Sequence, residues 1–275
     1  MHTAGRRNVY DCDMKLLAFV SIVFVCCGSM FAGSDNRVPV IVELFTSEGC
    51  SSCPPADEVL TRLSRMQSVS NARVIALGEH VDYWNNLGWV DPFSSPAFRA
   101  RQNDYAAVFH VDSVYTPQMV VNGRAEFVGD DMGRALSEIG RAAKQPAAKI
   151  VLKLAQNAKD PEMVELAIDI RELPPVNIRN KPGAPSLDVF LAVTEDNLSS
   201  DVKRGENAGV TLRHVAVVRS FGIVGSIDPR EKDMFAMKPT LKIPAAWKRK
   251  DLHAVVFIQE RATRKILGAE SVGLN

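Results

Sequence analysis

The segment that most constrains this chain runs from Val38 to Pro55. Val38-Pro39-Val40-Ile41-Val42-Glu43-Leu44-Phe45 is apolar at nearly every position. A strand built from it must be covered on both faces, as in the interior of a parallel or mixed sheet. Thr46 to Gly49 form a turn, Cys50-Ser51-Ser52-Cys53 follows, and Pro54-Pro55 opens a helix expected to reach about Met66. Prolines in a first helical turn displace no helical hydrogen bond. Arg73 to Gly78 is a second buried strand, so the opening reads as a β-α-β unit of an α/β fold.

The cysteine count adds a compartment. The chain has 275 residues and five cysteines, of which Cys12, Cys26 and Cys27 lie in or before an uncharged apolar run from Leu16 to Val25. Lys15 precedes that run, and Ser34-Asp35-Asn36-Arg37 follows a stretch of small residues. This is the pattern of a cleavable export leader covering residues 1–33, with translation starting at Met14, because Asp11 and Asp13 would weaken its positive end. The apolar run is too short to span a bilayer comfortably, and the mature chain is expected to hold no membrane span. Removal of the leader leaves Cys50 and Cys53, in a periplasmic or secreted protein. In an oxidising compartment the pair either closes a disulfide on itself or exchanges with other proteins. The formal net charge of +1, with acids and bases interspersed, excludes the clustered basic face that nucleic acid would require.

Beyond the second strand, Glu79 to Pro96 is a long connection carrying His80, Asp82, Tyr83, Trp84, Trp89 and Asp91. Ala97 to Val108 reads as a helix. Tyr115-Thr116-Pro117-Gln118-Met119-Val120-Val121-Asn122-Gly123 then reads as a strand ending in an Asn-Gly hairpin turn, with Glu126 to Val128 returning beside it. Asp130 to Lys144 closes as an amphipathic helix capped by Asp130 or Asp131.

Cys50-Ser51-Ser52-Cys53 opening a helix, together with Thr116-Pro117 before a hairpin, resembles the thioredoxin superfamily over about residues 38–144. Val42-Glu43-Leu44-Phe45-Thr46-Ser47-Glu48-Gly49-Cys50, His80-Val81-Asp82-Tyr83-Trp84 and Tyr115 to Gly123 are similar, more narrowly, to an uncharacterised family of secreted bacterial thioredoxin-like proteins. The resemblance implies a thioredoxin-like domain over residues 34–146, with a cis Pro117 facing the cysteines. Thr116 and Pro117 would then dock an extended substrate backbone by β-addition. Many thioredoxins carry Trp where this chain has Gly49, and Tyr83, Trp84 or Trp89 would replace that ring. His80 and Trp84 are further candidates for the substrate rim.

Cys50, at a helix N-terminus, is the candidate nucleophile, and Cys53, one turn further in, the resolving thiol. Glu43 is the anomalous carboxylate of the first strand, expensive to bury unless paired or protonated. Thioredoxins keep a buried Asp behind their cysteines. The residue in register with it here is Leu44, and Glu43, one position off, should point to the other sheet face. It is therefore a candidate proton relay to Cys53 only if a bulge turns it inward; otherwise it pairs with an arginine.

From Lys149 onward the texture becomes β-rich. Ile150 to Leu154, Met163 to Ile170, Leu187 to Thr194, Thr211 to Val218 and His253 to Glu260 predict short strands of a mainly antiparallel, sandwich-like domain over residues 147–275. His214, on the face shared by Leu212 and Ala216, reads as a core histidine. The expected function is an exported thiol-disulfide oxidoreductase acting on protein or small-molecule thiols and disulfides, with no cofactor and no bound metal. The alternatives are a copper-binding protein using Cys50, Cys53 and His80, since soft thiolates with imidazole suit Cu(I), and a non-catalytic binding module.

Overall fold

In the computed structural model the described residues are 1–2, 35–155, 160, 162–176, 186–230 and 234–275. The expected leader, apart from its first two residues and residue 35 beyond it, lies outside them, as does most of the turn-rich stretch at 180–186. The chain divides into two units, Met1–Asp35 and Asn36–Asn275, and everything below concerns the second.

The expected β-α-β opening is present. Strand β1 (Val38–Thr46) and strand β2 (Ala72–His80) pair in parallel from Val38↔Ala72 to Thr46↔His80, and helix α1 (Pro54–Met66) connects them. Helix α2 spans Pro96–Phe109, with the Ser95 side chain accepting from the Ala97 N–H at its start. Strands β3 (Gln118–Val121) and β4 (Ala125–Val128) form the expected hairpin, and β3 lies antiparallel to β1. Helix α3 (Met132–Ala142) is capped by Asp131, whose carboxylate accepts from the Arg134 N–H at 2.8 Å.

The remaining strands are β5 (Lys149–Ala155), β6 (Met163–Arg171), β7 (Leu187–Glu195), β8 (Leu198–Asp201), β9 (Thr211–His214), β10 (Val217–Ile227), β11 (Met234–Met237), β12 (Thr240–Lys242), β13 (Leu252–Glu260) and β14 (Ile266–Gly273). The run expected as one strand from Thr211 to Val218 is two, because the chain turns at Ala216, whose φ is +50°. The fold is α/β, with few helices and mostly antiparallel sheets.

The boundary expected at residues 145–147 falls between α3 and β5, and the main sheet passes across it. Its order is β14-β13-β7-β10-β2-β1-β3-β4. The join is the parallel contact of β10 with β2, where Val217 lies beside Gly78 and the Gly78 N–H donates to the Ala216 carbonyl at 2.8 Å. A Cβ on Gly78 would crowd the Val215 carbonyl at 3.3 Å, so this close approach needs the glycine.

Three apolar clusters result. Val40, Val42 and Leu44 face α1 and α3. Ile41 and Phe45 of the same strand face α2, with Phe190 and Phe257 from the second half. Leu187, Val189, Leu191 and Val193 of β7 pack against Leu166, Ile168 and Ile170 of β6. Each strand's alternation sends neighbouring residues into different cores, which is why β1 and β7 are apolar at most positions on both faces.

Candidate functional site

The turn after β1 carries the cysteines. The Cys50 N–H donates to the Ser47 carbonyl and the Cys53 N–H to the Cys50 carbonyl, both at 3.2 Å, curling the chain into α1. Cys50 and Cys53 form a disulfide with Cα atoms 5.5 Å apart. Both residues are fully buried, while Ser51 and Ser52 between them are exposed. Such a pair can in principle be opened by two electrons and two protons to two thiols.

The expected rim residues divide. The Thr116–Pro117 peptide is cis, and the Thr116 carbonyl lies 3.9 Å from Cys50 Sγ. The Trp84 Nε1–H donates to Thr116 Oγ1 at 2.8 Å. A Cβ on Gly49 would stand 3.1 Å from Trp84 Cβ, so Trp84 does pack against the glycine that precedes Cys50. Five of the expected residues, Cys50, Cys53, Thr116, Pro117 and Trp84, thus meet at the turn.

His80 does not reach that rim. It is 1% exposed, and its Nδ1 lies 2.7 Å from Asp91 Oδ2. Burial opposes charge on this imidazole, but the Asp91 carboxylate and its hydrogen bond, with Asp57 and Glu48 beyond, raise its pKa above the ordinary histidine value. The same pairing holds Asp91 below the usual carboxylate range against the effect of burial.

His80 belongs to a buried acid–imidazole cluster beneath the turn. Glu48, which directly precedes Gly49, takes a hydrogen bond from Trp89 Nε1–H at 2.8 Å and lies 3.0 Å from His214 Nε2. The Asp91 carboxylate also accepts from the Glu48 N–H at 2.8 Å. Asp57, one turn into α1 from Cys53, accepts from the Thr46 hydroxyl at 2.9 Å and lies 3.8 Å from His214 Nδ1. Burial pushes the Asp57 carboxyl up, with His214 and His80 opposing. His214 is a buried histidine, as its strand face suggested, but it contacts carboxylates rather than aliphatic side chains alone. Glu48 and Asp57 escaped the sequence reading; the available signal was two carboxylates flanking Cys50-Ser51-Ser52-Cys53 at the end of an apolar strand.

Two residues from the second half complete the turn. Asn207 Nδ2 donates to the carbonyls of Glu48 at 2.9 Å and Cys50 at 3.0 Å. Glu206 Oε2 accepts from the Ser51 N–H at 3.0 Å. Both lie in the loop between β8 and β9, strands that pair antiparallel with each other. Among the described residues, no group of three or more His, Cys, Asp or Glu side chains is arranged to hold a metal ion.

Glu43 is placed on the opposite sheet face, away from α1. Its lateral neighbours Leu77 and Val120 both belong to the α2-side core. No bulge turns it, and β1 keeps unbroken register with β2. The proton relay to Cys53 is therefore replaced by the other option, an arginine pair: Arg101 Nε donates to Glu43 Oε1 at 2.5 Å and the Tyr105 hydroxyl donates to Oε2 at 2.6 Å. Arg101 is 6% exposed and its guanidinium carbon sits 4.9 to 5.3 Å from the rings of Phe221, Tyr105, Phe190 and Phe257.

Glu79 lies in the same cluster, 3.5 Å from Arg101 Nε, and among the described residues neither of its oxygens receives a hydrogen bond. Two buried carboxyls against one guanidinium are electrically balanced when one holds a proton. Burial, with the Glu43 carboxylate adding to it and Arg101 opposing, raises the Glu79 pKa well above its ordinary value. A carboxyl raised in the folded state loses stability as pH rises from the unfolded value through the folded one. Glu79→Gln should therefore be more stable than the parent at pH 8, and the gap should close towards pH 4.5. Thermal unfolding across this range checks it, and a parallel shift at every pH would show that Glu79 holds no such proton.

Among the described residues no helix is long and apolar enough to cross a membrane. The chain is similar to the crystal structure of a protein from Agrobacterium tumefaciens, with 30% identity and a TM-score of 0.61, covering 87% of this chain and 96% of that one. It shares the fold of HBP35 of Porphyromonas gingivalis at 17% identity and a TM-score of 0.61, over 86% of this chain and 76% of that one. No curated protein matches it. A family model described as "Protein of unknown function (DUF1223)" matches residues 41–259, from the first buried strand through the Cys50–Cys53 turn to β13, and the chain belongs to that family.

Proposed function

We propose that this chain is an exported thiol-disulfide oxidoreductase with a thioredoxin-like redox site, acting on extended polypeptides or small thiols. The observation that carries the reading is the juxtaposition of the Cys50–Cys53 pair, at a strand-to-helix turn, with the Thr116 carbonyl 3.9 Å from Cys50 Sγ. In the reduced protein the Cys50 thiolate attacks one sulfur of a substrate disulfide. A mixed disulfide forms and one substrate thiolate leaves. Cys53 then attacks Cys50 Sγ, the second substrate thiol departs, and the Cys50–Cys53 disulfide carries the two electrons' worth of oxidation. Thr116 and Pro117 flank this path and supply main-chain docking to an extended substrate. Trp84 braces Thr116 through its indole N–H. His80 acts from beneath, as part of the buried cluster, and Glu43 serves the fold.

The roles of the two cysteines are separable. Cys53→Ala should accumulate mixed disulfides through Cys50, because the resolving step is lost while the nucleophile remains, and Cys50→Ala should accumulate few or none. Non-reducing electrophoresis and mass spectrometry of adducts from the native compartment read the difference. Equal trapping by both variants would remove the assignment, and Cu(I) binding that requires His80 would favour a metal role.

A further inference from the structure

The redox direction of the pair follows from what surrounds the Cys50 turn. A thiolate at a helix N-terminus is ordinarily stabilised by free backbone N–H groups, and that stabilisation makes a pair oxidising, because it favours the reduced form. Here those donors are depleted. Pro54 and Pro55 occupy the first two positions of α1 and have no N–H. The next two, Ala56 and Asp57, donate to the Cys53 carbonyl at 2.9 and 3.1 Å. The Cys53 N–H is engaged by the Cys50 carbonyl. The Ser51 N–H, on the residue adjoining Cys50, is engaged by the Glu206 carboxylate. The Ser51 hydroxyl first, and this backbone bond second, hold the Glu206 carboxyl below its ordinary value, so the group is an anion at neutral pH.

We propose that Glu206, anchored by Asn207, is a positioning residue of the redox site that disfavours the Cys50 thiolate and so makes the pair an electron donor to substrate disulfides. The proposal rests on the oxidoreductase reading of Cys50 and Cys53, and supplies its direction. Glu206 acts twice, by taking a backbone donor that the thiolate would use and by setting a like charge beside it. Asn207 keeps it there, since its amide clamps the carbonyls on either side of Gly49. The loop's own bonds, from the Gly209 N–H to the Val202 carbonyl at 2.8 Å and from the Val202 N–H to the Val210 carbonyl at 3.0 Å, keep its shape. The Ser52 hydroxyl lies 3.3 Å from Cys50 Sγ, within donating reach of the sulfur. The reaction consumes the reduced pair: two electrons pass to a substrate disulfide, and a partner dithiol must return them to the Cys50–Cys53 disulfide.

The other charged groups around the turn are Glu48, His214 and Asp57 beneath it, His80 and Asp91 behind them, and Lys203 and Arg204 in the same loop. They are common to all variants of a Glu206 series, which isolates the one charge. The full mature chain and its E206Q and E206K variants should be equilibrated with dithiothreitol of known oxidation state, between pH 6 and pH 9.5. Above the Cys50 pKa, E206Q should move the equilibrium roughly threefold towards the dithiol and E206K further, because an exposed charge contributes modestly. Well below that pKa the three should coincide, since a neutral thiol does not sense the charge. The thiol pKa from alkylation rates should fall in the same order, and Asn207→Ala should fall between E206Q and the parent. A structural role of the loop would not order the variants by charge. If the parent pair is reduced but the series shows one potential and one pKa, Glu206 has no part in the site and only this inference falls. If dithiothreitol reduces none of the proteins short of unfolding, the oxidoreductase reading falls and takes the inference with it.

Discussion

Replacing Arg101 with alanine should destabilise the folded chain by about 3–5 kcal/mol, the range for removing one partner of a buried charge pair. Arg101 faces Glu43 at 2.5 Å and Glu79 at 3.5 Å, and its remaining donors reach Gln259 Oε1 at 3.1 Å and the Tyr105 hydroxyl at 3.0 Å. The substitution strands a carboxylate among aromatic rings and also empties the space that the guanidinium fills between Phe190, Phe221 and Phe257. Burial works against the charge of Arg101, and Glu43 overrides it, keeping the guanidinium protonated throughout any accessible pH. Urea unfolding at pH 7 and pH 5 measures the effect. The deficit should narrow at the lower pH, where protons replace the missing cation. A loss below 1 kcal/mol at both pH values would mean that solvent reaches the cluster. Because α2 contributes Arg101, β1 Glu43, β2 Glu79 and β13 Gln259, the loss should be global rather than confined to one element.

Gly123→Ala should cost about 3 kcal/mol or more, a large penalty for one methyl group. Gly123 ends the Asn-Gly turn between β3 and β4 with φ of +59°, which already disfavours a side chain. The larger cause is outside the hairpin. A Cβ there would collide with the backbone carbonyl of Arg264, in the turn between β13 and β14. The two turns are fastened together by the Ile266 N–H, which donates to the Asn122 carbonyl at 2.9 Å, and Asn122 Oδ1 ties the hairpin to β1 by accepting from the Ile41 N–H at 2.7 Å. Trimming Arg264 to alanine should not rescue Gly123→Ala, because the obstacle is main chain. Chemical denaturation of both variants and the double variant tests this, and full rescue would place the strain in the arginine side chain.

Local chemistry was enough for much of the first half. The apolar run of β1, the prolines opening α1, the Asn-Gly turn and the Asp131 cap each act within a few residues, so their structural consequences are legible in sequence. The same holds for the pairing of Cys50 with Cys53, three residues apart. The two-residue period placed Glu43 on the face away from α1, and that argument holds because β1 has no bulge. What the period could not supply was the identity of the cation, which comes from a helix 58 residues further on.

The second half was legible as strands and illegible as an arrangement. Its strand runs resemble those of a separate body, yet β10 docks beside β2 through Val217 and Gly78 and continues the sheet of the first half. Strand pairing of this kind is decided by long-range geometry, for which alternation within a strand carries no signal. The position of His80 depends on the same long-range geometry. A histidine at the end of a strand can point to the rim or into the protein, and Asp91 and the Glu48–His214 pair draw it inward. Glu206 and Asn207 reach the Cys50 turn across 155 and 157 residues of chain. The sequence alone determined which two cysteines can pair and what local turn presents them. Only the tertiary structure decided which charges surround that turn, because electrostatic environment depends on distance in space, and here the deciding groups are remote in the chain.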